Sequence, residues 1–124
     1  TLTAPVINAA GVVGKVAEVS ERVSKVILVS DPGFRVAIVD RRSRESGLLS
    51  GSLSGECRLS YLSDEADVQV GDEIVTSSLS STFPDGLFVG AVSAFYPGGK
   101  GGQPRALVRP TVDVSRVEEV LVIK

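Results

Sequence analysis

The chain contains no histidine, methionine or tryptophan, and its single cysteine is Cys57. Without histidine, a Ser-His-Asp or Cys-His nucleophile and any imidazole-containing zinc site are excluded. A lone thiol cannot form an internal disulfide or a thiolate cluster, so Cys57 is expected as a small, partly buried residue. Long apolar runs are missing too. The longest aliphatic stretches have four residues, as in Val26 to Val29, whereas a membrane-spanning helix needs roughly 20. Charge of one sign is not in excess: 13 basic and 15 acidic side chains leave a net charge of −2, which argues against a nucleic-acid binder. With no Met at position 1 and no signal peptide, Thr1 is expected to be a cut inside a longer protein.

What the chain does contain is valine, which outnumbers leucine 21 to 11 and favours half-buried pleated surfaces over helices. Apolar residues alternate over Val12 to Val19, Lys25 to Ser30, Arg35 to Asp40, Cys57 to Ser63, Val68 to Thr76, Leu87 to Tyr96, Arg105 to Val112 and Glu119 to Lys124. Turn-forming clusters separate them: Asp31-Pro32-Gly33, Ser46-Gly47, Ser54-Gly55, Pro84-Asp85-Gly86 and Pro97 to Gly102. Short strands at this spacing predict an all-β fold of two small barrel-like units with antiparallel strands and no long helices. An internal repeat supports two units. Pro5-Val6-Ile7, Gly11 to Val16 and Val26 to Asp31 correspond to Glu73-Ile74-Val75, Gly86 to Val92 and Leu107 to Asp113. Residues 1–60 are expected to hold the first unit, with Arg41 to Ser63 as a hairpin and connector, and residues 61–124 the second.

The constellations that suggest chemistry lack the rest of their machinery. Pro97-Gly98-Gly99-Lys100-Gly101-Gly102 is rich in glycine, but no Ser or Thr follows the lysine and no helix starts there, so it reads as a hairpin tip. Arg41, Arg42 and Arg44 carry no interleaved aromatics and read as a solvated turn. Asp64-Glu65-Ala66-Asp67 and Asp72-Glu73 do not form a calcium loop and are expected at turns and on the surface. Serines are plentiful at Ser77, Ser78, Ser80 and Ser81; their only available base is a lysine, and the spacing selects no pair among Lys15, Lys25, Lys100 and Lys124. No catalytic residue, metal or cofactor is predicted. Of the six aromatics, Phe83, Phe88, Phe95 and Tyr96 lie close together and are the candidate anchors for a protein partner.

Three ordered blocks resemble the rod shape-determining protein MreC family. The first is Gly11-Val12-Val13-Gly14-Lys15-Val16 with Ser24-Lys25-Val26 and Asp31-Pro32. The second is Val68 to Ser77 with Gly71-Asp72, followed by Phe83-Pro84-Asp85-Gly86 and Leu87 to Val92 with Gly90; the third begins at Asp113 and runs to Val122. One departure is that Ser78, Ser80 and Ser81 stand where members often carry glycines.

The resemblance implies the terminal extracytoplasmic β region of a bitopic inner-membrane protein, whose anchor is an N-terminal transmembrane helix followed by a coiled coil. It implies a non-catalytic scaffold of the cell-elongation machinery at the periplasmic face of the membrane. The implied partners are a class B penicillin-binding transpeptidase, MreD, the MreB system and further copies of the chain. The alternative is an adaptor barrel of a membrane-fusion or transport protein, because Val-x-x-Gly-Asp is a general way to start a barrel strand.

Overall fold

The computed structural model describes residues 4–52, 54–80, 83–99, 102–112 and 121–123. Among the described residues ten strands follow one another: β1 (Pro5–Asn8), β2 (Gly11–Val19), β3 (Ser24–Leu28), β4 (Arg35–Asp40), β5 (Ser46–Ser50), β6 (Cys57–Ser60), β7 (Glu73–Thr76), β8 (Phe88–Tyr96), β9 (Arg105–Pro110) and β10 (Leu121–Val122). All pairings are antiparallel. Four strands form a sheet in the order β10-β1-β2-β3, and six close into a barrel in the order β4-β5-β6-β9-β8-β7. The all-β expectation holds.

Alternation explains the barrel wall. Val36, Ile38, Leu49, Cys57, Leu59, Ala106 and Val108 point inward and are buried, while Arg35, Arg58, Arg105 and Arg109 point outward. Phe34 closes one end of this core, and Val12 and Val29 continue it under the sheet. A second cluster, Ala4, Val6, Val13, Val16 and Val112, fills the far side of the sheet. Each fully buried valine or leucine contributes about 1.5–3 kcal/mol relative to exposure.

The internal repeat reappears as a repeated register. Val6 sits opposite Gly14 before a shift that puts Ile7 opposite Val12; Ile74 sits opposite Gly90 before a shift that puts Val75 opposite Phe88. Gly14 then pairs with Leu28, and Gly90 with Pro110. Each long strand is bulged again after the valine two residues beyond its glycine, between Val16 and Glu18 in β2 and between Val92 and Ala94 in β8. The three-strand unit β1-β2-β3 thus recurs, bulge included, as β7-β8-β9. The two glycines have one steric cause: a Cβ would lie 2.1 Å from the Ile27 carbonyl oxygen at Gly14 and 2.2 Å from that of Arg109 at Gly90.

A boundary at residue 60 runs between β6 and β7, which are both staves of the same barrel. The segment expected as hairpin and connector supplies two of those staves, β5 and β6. Its sequence hides this: β5 reads Ser-Gly-Leu-Leu-Ser, and only Leu49 is fully buried. Residues 68–72, expected as the start of a strand, make a turn instead. The Asp72 amide donates to the Gln69 carbonyl and Gly71 takes φ 94°.

Candidate partner-binding surface

The four aromatics singled out from the sequence do not share one surface. Phe83 is only 4% exposed; it packs edge-on against Phe34, with ring centroids 6.0 Å apart, and belongs to the core. Phe88 is half-buried under the Arg41 guanidinium, 5.7 Å from its ring centre. Phe95 packs against the barrel core, while its neighbour Tyr96 is 46% exposed with the Arg105 guanidinium 5.3 Å over its ring.

The β8 bulge decides which of these two faces outward. Val92 points into the barrel, and without an extra residue Tyr96 would also point inward. Ser93 supplies that residue, so Phe95 lies opposite Ala106 and Tyr96 opposite Arg105. The Ser93 hydroxyl donates to the Glu56 carboxylate and lies 3.3 Å from the Leu107 carbonyl, which pins the bulge.

Two exposed apolar side chains escaped the sequence reading. Tyr61 follows β6 with its backbone in the left-handed region, φ 59°, and is 76% exposed. A tyrosine held there costs on the order of 1 kcal/mol. Leu79 is 79% exposed, and between the two lies a groove of about 380 Å³ floored by Ala37, Gly47 and Leu48. Tyr61 was legible only as one more aromatic, because its conformation depends on the chain turning away from the barrel. The serine-rich loop gave no sign of Leu79. Ser78 and Ser80 have no positive φ, so serine is not strained at either position; Ser81 lies outside the described residues. Hydroxyls build this turn instead: Ser77 accepts from the Leu79 amide and Ser80 from the Phe83 amide, both at 3.1 Å.

The acidic residues and the arginine turn meet at the β4–β7 seam. The Arg42 guanidinium grips Asp72 through two hydrogen bonds of 2.9 and 3.0 Å and reaches Asp67 at 2.8 Å. Asp40, 1% exposed, accepts backbone amides from Arg42 and Ser43 through Oδ1, while Oδ2 meets no donor. A proton on Oδ2 satisfies it by donating to the Asp72 carboxylate. Burial, and next that bond, push Asp40 up to about 6 against the two amides. Burial opposes ionisation of Asp72, but the bonds from Arg42, Asp40 and the Gln69 amide hold it at about 2. Cys57 is fully buried, its thiol 3.4 Å from the Val29 carbonyl; burial and then the Glu56 charge push it up to about 11. These groups brace the seam and the core. Among the described residues no cluster of three metal-ligating side chains forms.

The blocks that carry the family resemblance are the pieces that set this geometry. Gly14 and Gly90 allow close strand approach, as above. Asp31 and Pro32 form the turn into the barrel, with the Asp31 carboxylate accepting the Gly33 amide at 2.7 Å. Gly71 and Asp72 make the turn into β7. Gly86 takes φ 86°, and with Pro84 it closes the loop back onto Thr76, whose hydroxyl donates to the Pro84 carbonyl. Phe83 plugs the core. Asp113 lies outside the described residues.

Comparison with known proteins finds the same assembly. Residues 2–124 match the family model for "Rod shape-determining protein MreC, barrel core". The cell shape-determining protein MreC of Caulobacter vibrioides is 38% identical over 70% of this chain and 25% of its own length. That of Escherichia coli is 31% identical over 96% of this chain and 33% of its own length. Among solved structures, MreC from Pseudomonas aeruginosa superposes with a TM-score of 0.92 at 26% identity, covering all of this chain and 81% of that one. MreC in the Helicobacter pylori complex with the penicillin-binding protein PBP2 shares the fold, with a TM-score of 0.79 at 16% identity over 96% of this chain and 75% of that one. The chain spans about a third or less of the length of these two curated relatives. A closed barrel and a repeated three-strand unit, both built on the motif glycines, agree with a match that runs nearly end to end, and the chain belongs to the rod shape-determining protein MreC family.

Proposed function

We propose that this chain is the extracytoplasmic β region of a non-catalytic scaffold that binds a class B penicillin-binding transpeptidase and helps position it for cell elongation. The observation that carries the reading is the MreC barrel-core match over residues 2–124. The complex of an MreC of the same fold with PBP2 names the class of partner. The surface suits a scaffold, since a closed barrel offers a stiff platform and Tyr61, Leu79 and Tyr96 stand out from it as apolar anchors. Phe95 packs against the core on the other side of the strand from Tyr96, whereas Phe83 holds the core and Phe88 is covered by Arg41. Association with MreD, with the MreB system and with further copies of the chain belongs to the same proposal, as does a periplasmic location with anchorage through an N-terminal transmembrane helix. The transport-adaptor alternative has no observation of its own in its favour.

Affinity for the transpeptidase from the same genome, measured by biolayer interferometry with this chain immobilised, tests the reading. Tyr61→Ala and Tyr96→Ala are each expected to weaken binding by about 2 kcal/mol, some 30-fold, with the melting temperature little changed. Unchanged affinity in both variants would remove these anchors. Absence of any binding would remove the transpeptidase partner.

A further inference from the structure

Four arginines stand on one side of the barrel. Arg35 on β4 pairs across with Ser50 on β5, Ser50 with Arg58 on β6, and Arg58 with Leu107 on β9. Arg35 and Arg58 therefore share one row of the outer face, two staves and about 10 Å apart. Arg105 and Arg109 flank Leu107 at two residues on either side, each about 7 Å along the strand. The chain neighbours of these arginines are buried, apart from half-buried Pro110, and all four arginines are exposed. Composition does not account for the cluster, since the chain is net negative.

Of the other arginines on the barrel, two have acidic partners and Arg44, on the β4–β5 turn, has none among the described residues. Arg41 pairs with Glu73, and Arg42 with Asp67 and Asp72. Among the described residues, Arg35, Arg58, Arg105 and Arg109 make no ion pair. Of the acids near this side, Glu56, next to Cys57 and thus across from Arg109, is engaged by Ser93, and the Asp31 carboxylate, beside the end of β5, accepts the Gly33 amide. Two furrows meet at Arg58. One, of about 340 Å³, runs towards Arg35 and Ser50; the other, of about 510 Å³, runs over Leu107 to Arg105 and Tyr96. Tyr96 carries Arg105 on its ring, which holds that guanidinium in place at little further entropic cost.

We propose that this face binds an extended acidic peptide segment of a partner protein. Guanidinium forks donate to carboxylates in bidentate fashion, and Arg105 and Arg109, each about 7 Å from Leu107 along β9, match the first and last of three alternate residues of an extended chain. The alternate residue midway between those two carboxylates faces the barrel too and rests on Leu107. A phospholipid surface fits less well, because a flat sheet of headgroups touches the crests of a curved barrel and leaves the furrows empty. The inference does not depend on the transpeptidase being the partner: whichever protein supplies the segment, the face selects it by charge and extension.

The test uses this chain and a fluorescein-labelled nonapeptide with glutamate at alternate positions, serine between them and one central leucine. A counterpart carries glutamine for glutamate. Fluorescence anisotropy should show saturable binding of the acidic peptide, at least about tenfold tighter than the glutamine peptide and weakening as salt rises. Arg58→Glu should lower that affinity about tenfold or more, and Arg105→Glu likewise, with thermal melting unchanged, while Arg22→Glu on the β2–β3 turn leaves it as it was. Equal affinity for both peptides, or binding indifferent to Arg58→Glu, overturns the proposal. So does capture by phosphatidylglycerol vesicles through these arginines without peptide binding, or an Arg58-dependent self-association seen by sedimentation, which would make a second copy the occupant.

Discussion

Asp40 illustrates how much a single buried oxygen decides. In the folded chain its carboxyl titrates near 6, against 3.8 for an unperturbed aspartate. The folded state thus binds a proton that the unfolded chain has released, so stability falls as pH rises from about 4 through 6. Asp72 has the opposite sign: lowered to about 2, its contribution is present above about 4 and lost as pH falls towards 2. Asn at position 40 reproduces the protonated acid, with its amide nitrogen donating to Asp72 and its oxygen accepting the two backbone amides. Asp40→Asn is therefore expected to match the parent near pH 4.5 and to exceed it at pH 7 by on the order of 2 kcal/mol in urea unfolding. An identical pH dependence in both proteins would show that Asp40 is ionised in the fold. Tyr61 is a second residue held at a local cost, here in its backbone. Tyr61→Gly removes a strain of about 1 kcal/mol and should unfold no more easily than the parent, yet should bind the transpeptidase more weakly. Weaker folding together with unchanged binding would mean that the ring serves stability.

At the scale of elements, β2 and β8 are the same device used twice: a glycine that admits a neighbouring carbonyl, then a bulge that changes which face the strand presents. A methyl group at Gly90 would sit 2.2 Å from a backbone oxygen that no side-chain rotation can move. Gly90→Ala is expected to cost about 3 kcal/mol or more, read as a lower urea midpoint. Gly55→Ala meets nothing within 4 Å and should lose only about 1 kcal/mol, from its φ of 90°. Comparable losses at the two sites would refute the close-approach account. The repeat was readable in the sequence because both copies keep Val-Gly-x-Val, and β4, β8 and β9 were readable as short apolar runs between turn signals. β5 was not, since a stave of two serines, a glycine and two leucines shows no period. Nor was the fate of the aromatics. Phe83 and Tyr96 look alike as letters, and what separates them is a bulge at Ser93 and a pocket beside Phe34, both set by contacts distant in sequence.

Taken whole, the molecule is a barrel with a sheet continuing its core, acidic and ion-paired at the β4–β7 seam and bearing unpaired arginines across β4, β6 and β9. The absence of histidine already removed the common nucleophilic sites at the level of sequence, and the ordered glycine, Gly-Asp and Phe-Pro blocks pointed to the family. The binding face itself was not readable, because it depends on which strands lie side by side in the closed barrel. The proposed docking of a transpeptidase through Tyr61, Leu79 and Tyr96 puts its footprint on the outer wall of the barrel. Hydrogen exchange of the chain with and without saturating transpeptidase tests it most directly. Docking there predicts slowed exchange in β5, β6 and β9 and in the segment around Tyr61, with β1 to β3 unchanged. Protection confined to the β1–β3 sheet, with the barrel face exchanging as in the free chain, would contradict it.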